Sequence, residues 1–280
     1  MKKTLLVLMT LLVAMSVQAQ QAQLRLPRPS PKAAMTQTVG ITDVTVTYSR
    51  PSVKGRQIWG ALVPYDKVWR TGANEATTIM FSDDVMVGGQ KLAKGTYSLH
   101  TIPGKDEWTV IFNSVADQWG SYSYDATKDV VRVKARPEKG EFRELLTIGV
   151  SEMTTDTAKF VIRWENVVVP FTIDTQSVSR SLEAADKAIT AAATSRWQTP
   201  YRAADFAFSN NRMDEAQRWL DMALKENENT ATLWLKARML EKQGKRADAI
   251  RTAEAAIAKA GADQQDFATE IRKQSDPWRK

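Results

Sequence analysis

Apolar and polar residues alternate in short segments through the first 175 residues, a pattern typical of β-strands with one buried face. Clear examples are 44–48, 108–112 and 160–164, where every second residue is aliphatic or aromatic. The segment "DVMVGGQKL" predicts a hairpin, because Gly88 and Gly89 tolerate the positive φ angles of a tight turn. About eight to ten such strands with no long helical pattern between them predict an antiparallel β-sandwich or barrel. We favour a sandwich over residues 37–175.

The pattern changes near residue 175, where alanine becomes frequent and apolar residues recur at helical spacing. A first helix is predicted from about Ser177 to Thr194. Beyond it, the segment that starts at Tyr201 matches the segment that starts at Trp234, with small residues where paired helices would cross. We therefore expect an α-helical module over residues 176–280.

This internal repeat resembles the tetratricopeptide repeat, a helix–turn–helix of about 34 residues. The resemblance covers about residues 196–261, with Asn211 and Gly244 at equivalent turn positions that favour a left-handed backbone. It implies that the helical module binds a peptide or a partner protein in a groove. The alternative is that so short an array only supports the β-domain.

The first 19 residues have the pattern of a cleaved secretory signal. Lys2 and Lys3 precede an apolar run over 5–17, and small residues precede a cleavage site after Ala19. We expect an exported, soluble protein, periplasmic or secreted, with no integral membrane segment after cleavage. Residues 20–36 are rich in Gln, Pro and Ala and predict a flexible leader.

The composition of the chain excludes several kinds of functional site. The chain has no cysteine, which excludes disulfides, thiol catalysis, cysteine-ligated zinc and a lipid anchor on an N-terminal cysteine. The formal net charge of +7 is typical of a mildly basic soluble protein; the alternative is an anionic partner, such as an acidic glycan or a membrane surface. The export signal argues against nucleic acid. Phosphate-binding glycine loops, dinucleotide fingerprints and calcium loops are absent from the sequence, so we expect no cofactor and no metal.

A long segment without a clear strand runs from Arg50 to Asn74. Loops of more than about 15 residues are uncommon unless they are functional or disordered. Ile58 and Leu62 would share one face of a helical turn and need burial, so we expect an ordered loop folded onto the sheet. Gly72 is expected to permit a sharp turn that brings the polar residues after it together.

The candidate ligand-binding residues of the β-domain suit a glycan or a small anionic ligand. Arginine offers a planar fork to a carboxylate or sulfate, and aromatic rings stack on sugars. A second exposed loop, Asp117–Asp125, also suits carbohydrate or peptide contact. The alternative is structural, with the acid pinning the loop through an arginine and the aromatic residues forming core. The candidates are Arg50, Arg56, Trp59, Trp69, Arg70, Asn74, Glu75, Tyr97 and His100.

Two blocks occur in order along the β-domain, "YSRPSVKGRQIWGALVPYDKVWRTGANEAT" and "KLAKGTYSLHTIPGKDEWTVIFN". Together they resemble the domain of unknown function 2911 family, over about residues 24–175. The resemblance implies a secreted or periplasmic β-rich domain, often followed by tetratricopeptide-like helices. It implies no activity, substrate or catalytic residue.

Three functional hypotheses follow. The leading one is a non-enzymatic envelope protein that binds a ligand through the 50–75 loop and a protein through its helices. The alternatives are a hydrolase of an envelope polymer or glycan, with Glu75 or His100 as acid or base and Arg70 holding an anion, and a purely structural envelope factor. A hydrolase predicts these three residues in one cleft, with at least one strongly shifted pKa. A binding module predicts an open aromatic-lined groove.

Overall fold

The computed structural model describes residues 26–191 and 196–279. The predicted signal peptide, 1–19, lies outside the described residues, as does the end of the predicted first helix. Within the described ranges the chain forms ten β-strands, six α-helices and three short 3₁₀ helices. The strands are β1 (Lys32–Val39), β2 (Thr42–Ser49), β3 (Thr78–Phe81), β4 (Val85–Val87), β5 (Gln90–Leu92), β6 (Gly95–Ile102), β7 (Trp108–Asn113), β8 (Asp129–Ala135), β9 (Glu138–Met153) and β10 (Thr157–Asp174). The α-helices are α1 (Ser177–Ala191), α2 (Gln198–Ser209), α3 (Met213–Glu226), α4 (Thr230–Lys242), α5 (Arg246–Ala258) and α6 (Gln265–Ser275). The 3₁₀ helices are Ala126–Lys128, Ala262–Gln264 and Asp276–Arg279.

Two antiparallel sheets build the β-domain and share one hydrophobic core. One sheet has six strands in the order β1-β2-β3-β6-β7-β8, and the other has four in the order β5-β4-β10-β9. Leu99 and Phe112 of the first sheet pack in the same core as Phe160 and Trp164 of the second. The predicted antiparallel β-domain followed by an α-helical module is confirmed.

Strand β1 begins at Lys32, inside the stretch 20–36 that the sequence predicts to be a leader. It pairs with β2 along its whole length, from Lys32 opposite Ser49 to Val39 opposite Thr42. Its side chains on one face are exposed and those on the other are mostly half-buried, because it lies at the edge of the sheet. This weak burial explains why the hydrophobic pattern does not reveal it.

The last two strands also differ from expectation. Strand β9 is not predicted, because charged residues fill its exposed first half. Strand β10 is one continuous strand, although its apolar residues suggest two. It is irregular in the middle, where Glu165 has a φ of +53° and its pairing with β9 shifts register between Arg163 and Val167. Such bulges bend a strand without ending it.

The helical module contains two helical hairpins. Helices α2 and α3 form the first and α4 and α5 the second, and the equivalent helices begin 32 or 33 residues apart, at 198 and 230 and at 213 and 246. Asn211 and Gly244, in the two turns, have φ angles of +61° and +77°. The final helix α6 buries Ile271 completely against the second hairpin.

Helix α1 contacts both halves of the molecule. Its Arg180 forms an ion pair with Asp83 of the β-domain at 2.5 Å and donates a hydrogen bond to Thr42 Oγ1. Its apolar residues Val178 and Leu182 pack in one core with helices α2 and α3. Among the helices of the described ranges, none is both long enough and apolar enough to cross a bilayer.

Candidate ligand-binding site

The polar residues that end the long loop lie in a folded segment, 70–76, beside the six-stranded sheet. Trp69 exchanges backbone hydrogen bonds with Thr101 of β6 at 2.7 and 2.9 Å, which fixes the start of the segment. Thr71 and Asn74 have positive φ angles of 55° and 59°, and they make the turns expected of Gly72. Gly72 instead serves close packing, since a Cβ there would lie 3.0 Å from Ser49 O.

A cavity of about 200 Å³ opens on one side of this segment. We call it the arginine cavity. It brings together the candidates Arg56, Trp69 and Arg70, and Trp164 and Leu62 complete its apolar wall. Leu62 is 47% exposed rather than buried as expected. The arginine cavity therefore combines two cations with aromatic and aliphatic surface.

The positive charge of the arginine cavity is not balanced from within. None of the described residues that line it is an Asp or a Glu. The Nε of Arg70 is buried and has no hydrogen-bond partner in the described part of the chain. Arg56 donates from Nε and Nη2 to the carbonyl oxygens of Val53 and Ser52. A buried donor without a partner is costly, so an anion in this cavity would be stabilised by Arg70.

A cluster of four tryptophans forms the rigid wall behind the cavity. Trp69 stacks on Trp164 with ring centroids 5.9 Å apart, and Trp59 meets Trp108 edge to face at 5.0 Å. Trp69 donates its indole hydrogen bond to Gly72 O at 3.1 Å, which couples the wall to the 70–76 segment. Trp59 lies in this cluster and does not line the cavity.

A second cavity of about 190 Å³ opens on the other side of the segment, on the outer face of the six-stranded sheet. We call it the hydroxyl cavity, because Thr47, Ser49 and Thr78 line it together with Gln118. Glu75 also lines it and is bound by Arg28 at 2.6 Å. This hydrogen bond, assisted by backbone hydrogen bonding, lowers the pKa of Glu75, so the residue is a carboxylate at neutral pH.

Asn74 lies next to both cavities. Its Nδ2 donates to Ser30 O at 3.2 Å and to Ser49 Oγ at 3.3 Å. Ser30 lines the arginine cavity and Ser49 lines the hydroxyl cavity. Asn74 therefore hydrogen-bonds to one lining residue of each cavity.

Two further candidates line neither cavity. Arg50 donates to Leu146 O at 2.8 Å and to Thr147 Oγ1 at 2.9 Å, which ties the start of the loop to β9. Tyr97 is buried in the core of the β-domain and donates its hydroxyl to Ala93 O at 2.8 Å. Both contacts are structural.

His100 is completely buried on β6 and lines neither cavity. Its ring lies 5.1 Å from that of Tyr124, centroid to centroid. Burial lowers the pKa of His100 to about 4, against the opposing effects of the Gly120 backbone and the Asp129 carboxylate. The single cleft that the hydrolase hypothesis requires for Arg70, Glu75 and His100 is not formed by these two cavities.

Comparison with known proteins supports the β-domain as a unit. Residues 30–173 of the 280-residue chain match the family described as Protein of unknown function (DUF2911). The chain belongs to the DUF2911 family. Neither a curated protein nor a solved structure matches it. The DUF2911 match contains every residue that lines the two cavities and ends before helix α1.

Several residues of this DUF2911 site are not predicted from the sequence. Ser30 and Lys32 lie in a Pro-rich stretch that has the composition of a leader. Trp164 alternates with polar residues as any core strand residue does, and Thr47 and Thr78 look like ordinary outward-facing strand positions. Only the topology, which aligns β2 with β3, brings these two threonines opposite each other. Within the described residues, no three His, Cys, Asp or Glu side chains form a group that could hold a metal ion.

Proposed function

We propose that the β-domain is a non-enzymatic binding module for an acidic carbohydrate, whose carboxylate or sulfate group is held by Arg56 and Arg70. The observation that carries this proposal is the buried, unpartnered Nε of Arg70 within the described structure, in a cavity that has aromatic walls and no lining acid. A planar guanidinium matches the geometry of a carboxylate or sulfate. Trp69 and Trp164 line the cavity and form part of its apolar wall beside the sugar ring.

Titration with glucuronate or galacturonate tests this function, followed by tryptophan fluorescence and calorimetry. We expect saturable binding by the acids and none by neutral glucose or galactose. Arg70→Gln should weaken binding about 10- to 100-fold, because a hydrogen bond to a charged group contributes about 1.5–3 kcal/mol. Arg272→Gln, at an exposed position of α6, makes the same change in net charge and should leave binding unchanged.

If both variants lose affinity equally, the loss is caused by the change in net charge alone, which would contradict the proposed site. Absence of binding by the wild-type protein, to any of the acidic sugars and to sulfated analogues, would contradict the proposed function itself.

The hydrolase alternative has less support from the site. Arg28 keeps Glu75 ionised, so this residue is a poor general acid at neutral pH. His100, the other acid–base candidate, is buried beneath the surface. Release of reducing ends from an acidic polysaccharide, lost in Glu75→Gln, would restore the enzyme hypothesis.

We further propose that the protein is exported and that its helices are a tetratricopeptide-type module that holds a peptide or protein. The N-terminal charge and apolar pattern support export, and the matched helical hairpins with Asn211 and Gly244 in their turns support the repeat. Cell fractionation with N-terminal sequencing tests cleavage after Ala19 and release into the periplasm or medium. Peptide-array binding by the full chain tests the second proposal, and absence of any binding would contradict it.

A further inference from the structure

The two cavities are each too small to be a complete ligand site. Small-molecule sites usually enclose about 300–1,000 Å³. The arginine cavity has about 200 Å³ and the hydroxyl cavity about 190 Å³. A single sugar ring in one cavity would leave much of its surface in water. A ligand that fills both cavities would bury the fraction of its surface that is usual for a small-molecule site.

The position of the cavities allows one ligand to reach both. The Asn74 side chain donates to Ser30, which lines the arginine cavity, and to Ser49, which lines the hydroxyl cavity. The first half of the 70–76 segment lines the arginine cavity through Arg70, Gly72 and Ala73, and its end lines the hydroxyl cavity through Glu75 and Ala76. Linking two weak subsites makes the second contact intramolecular, which raises affinity without any new interaction.

The chemistry of the two cavities differs. The arginine cavity is cationic and aromatic, whereas the hydroxyl cavity presents three hydroxyl groups and the amide of Gln118. Lys32, Glu75 and Asp117 line the hydroxyl cavity as well, so it carries both signs of charge. Because Arg28 pairs with Glu75 and Lys32 offsets Asp117, the cavity has no excess positive charge to hold a second acidic group. Hydroxyl groups of a neutral sugar can donate to the acids and accept from Lys32.

Exposed aromatic rings lie beside both cavities. Trp119, whose side chain is 58% exposed, forms a backbone bridge with Glu75. The 84%-exposed Tyr122 has ring atoms 2.9–3.0 Å from the Cβ position of Gly120, and Arg70 Nη1 lies 3.7 Å from that same point. The 117–125 loop therefore places Trp119 next to Glu75 of the hydroxyl cavity and Tyr122 near Arg70 of the arginine cavity, where aromatic rings can stack on a sugar that extends out of either one.

We infer that the ligand is an oligosaccharide of at least two residues that spans Asn74, with an acidic residue in the arginine cavity and a neutral residue in the hydroxyl cavity. This inference rests on the proposed function and specifies its substrate class. Acidic polysaccharides whose repeat alternates an acidic and a neutral sugar meet this requirement, whereas polymers with every residue acidic do not.

The test compares the affinities of a uronic acid monosaccharide, of disaccharides and tetrasaccharides that alternate acidic and neutral residues, and of a homopolymeric oligouronate. We expect the alternating disaccharide to bind at least 10-fold more tightly than the monosaccharide, and the oligouronate to gain less than 3-fold. The double variant Thr47→Val with Thr78→Val removes two facing hydroxyl groups of the hydroxyl cavity. It should reduce the 10-fold gain to less than 2-fold while the monosaccharide affinity stays unchanged.

A matched control comes from the neighbouring strand pair. Thr36 and Thr45 also face each other across two strands, with their hydroxyl oxygens 2.8 Å apart, and neither lines the arginine cavity or the hydroxyl cavity. Their double change to valine should keep the full gain. Trp119→Ala, at an exposed position, is a second probe that should reduce the gain at least 3-fold if the threonine variant fails to fold.

The outcomes separate the two proposals. Monosaccharide binding with no gain from the second residue would overturn this inference and leave the proposed function standing. A full gain retained in the folded threonine variant, or an equal gain with the oligouronate, would also overturn it. If no acidic sugar of any length binds, the proposed function fails as well.

Discussion

Ser177 Oγ lies 2.0 Å from the position that a Cβ would occupy at Gly40. Gly40 is in the turn between β1 and β2 and has a φ of +58°, while Ser177 is the first residue of α1. The serine hydroxyl accepts the Ile41 amide at 3.1 Å and donates to Val39 O at 3.3 Å. The start of the helical module is thus bonded into a turn of the β-domain, and no free linker joins them.

Gly40→Ala should destabilise the β-domain by about 3 kcal/mol. A left-handed conformation costs a residue with a Cβ about 1–2 kcal/mol, and the displacement of Ser177 adds an overpacking cost of similar size. Gly89→Ala is the matched control, because Gly89 has a φ of +78° with open space around it. It should lose only about 1–2 kcal/mol.

Urea unfolding followed by tryptophan fluorescence measures both variants. If the two variants lose the same free energy of unfolding, Ser177 moves aside without an energetic penalty and its contact with Gly40 contributes nothing to stability.

The burial of His100 should make stability depend on pH. Its pKa is about 4 in the folded chain, below the ordinary value of 6.5, so the unfolded chain binds the proton more readily. Stability from this residue is complete above about pH 6.5 and falls as pH drops towards 4, by about 2 kcal/mol between pH 7 and pH 5. His100 is the only histidine, so no other side chain of ordinary pKa titrates between pH 5 and 6.5.

Urea midpoints of wild type and His100→Gln, measured from pH 7 to pH 5, check this expectation. The wild-type curve should slope through this window and the variant curve should be flat. A slope that persists in the variant would assign the effect to other groups.

Two tryptophans of the site should differ sharply in their contribution to stability. Trp164 is 1% exposed and stacks on Trp69, so Trp164→Ala should cost about 3–5 kcal/mol. Trp119 is 58% exposed, so Trp119→Ala should change stability by no more than about 0.5 kcal/mol. Thermal melts of the two variants decide the point, and a large loss in Trp119→Ala would disqualify it as a probe of binding.

The turns of the two helical hairpins should accept each other's residue. Gly244 has a φ of +77° and no heavy atom within 4 Å of the position that a Cβ would occupy, and Asn211 has a similar backbone in the first turn. Gly244→Asn should therefore cost less than about 1 kcal/mol, because asparagine tolerates this conformation. Gly244→Val should cost about 2 kcal/mol more than the asparagine variant. Thermal melting followed by circular dichroism at 222 nm measures the stability of both variants. Similar losses of stability in the two would show that the left-handed conformation at this turn is unimportant.

Much of the fold is readable from the sequence because burial is periodic. The segments with alternating apolar residues become β2, β6, β7 and β10, and the alanine-rich half becomes paired helices. Edge strand β1 and the exposed half of β9 are not predicted, because backbone pairing holds them in the sheet and few of their side chains are buried. Pairing of that kind depends on long-range topology, which local pattern does not encode.

The site was predictable only in part. Trp69 and Arg70 line the arginine cavity and Glu75 lines the hydroxyl cavity, because these three are close in sequence to one folded segment. Arg56 joins the arginine cavity because the long loop folds back on itself. The hydroxyl groups that complete the second cavity come from strands separated by some 30 residues, and nothing in their local sequence marks them. Grouping Glu75 with Arg70 was natural from the sequence, but the turn at Asn74 directs them to opposite sides.

The segment that leads into β1 has a practical consequence for laboratory work. Arg28 forms an ion pair with Glu75, Ser30 accepts a hydrogen bond from Asn74, and Lys32 lines the hydroxyl cavity. An affinity tag fused a few residues upstream of Arg28 would therefore emerge at the mouth of the site and compete with a sugar for it. Recombinant protein for carbohydrate assays is best tagged at its carboxyl end and trimmed no further than residue 27.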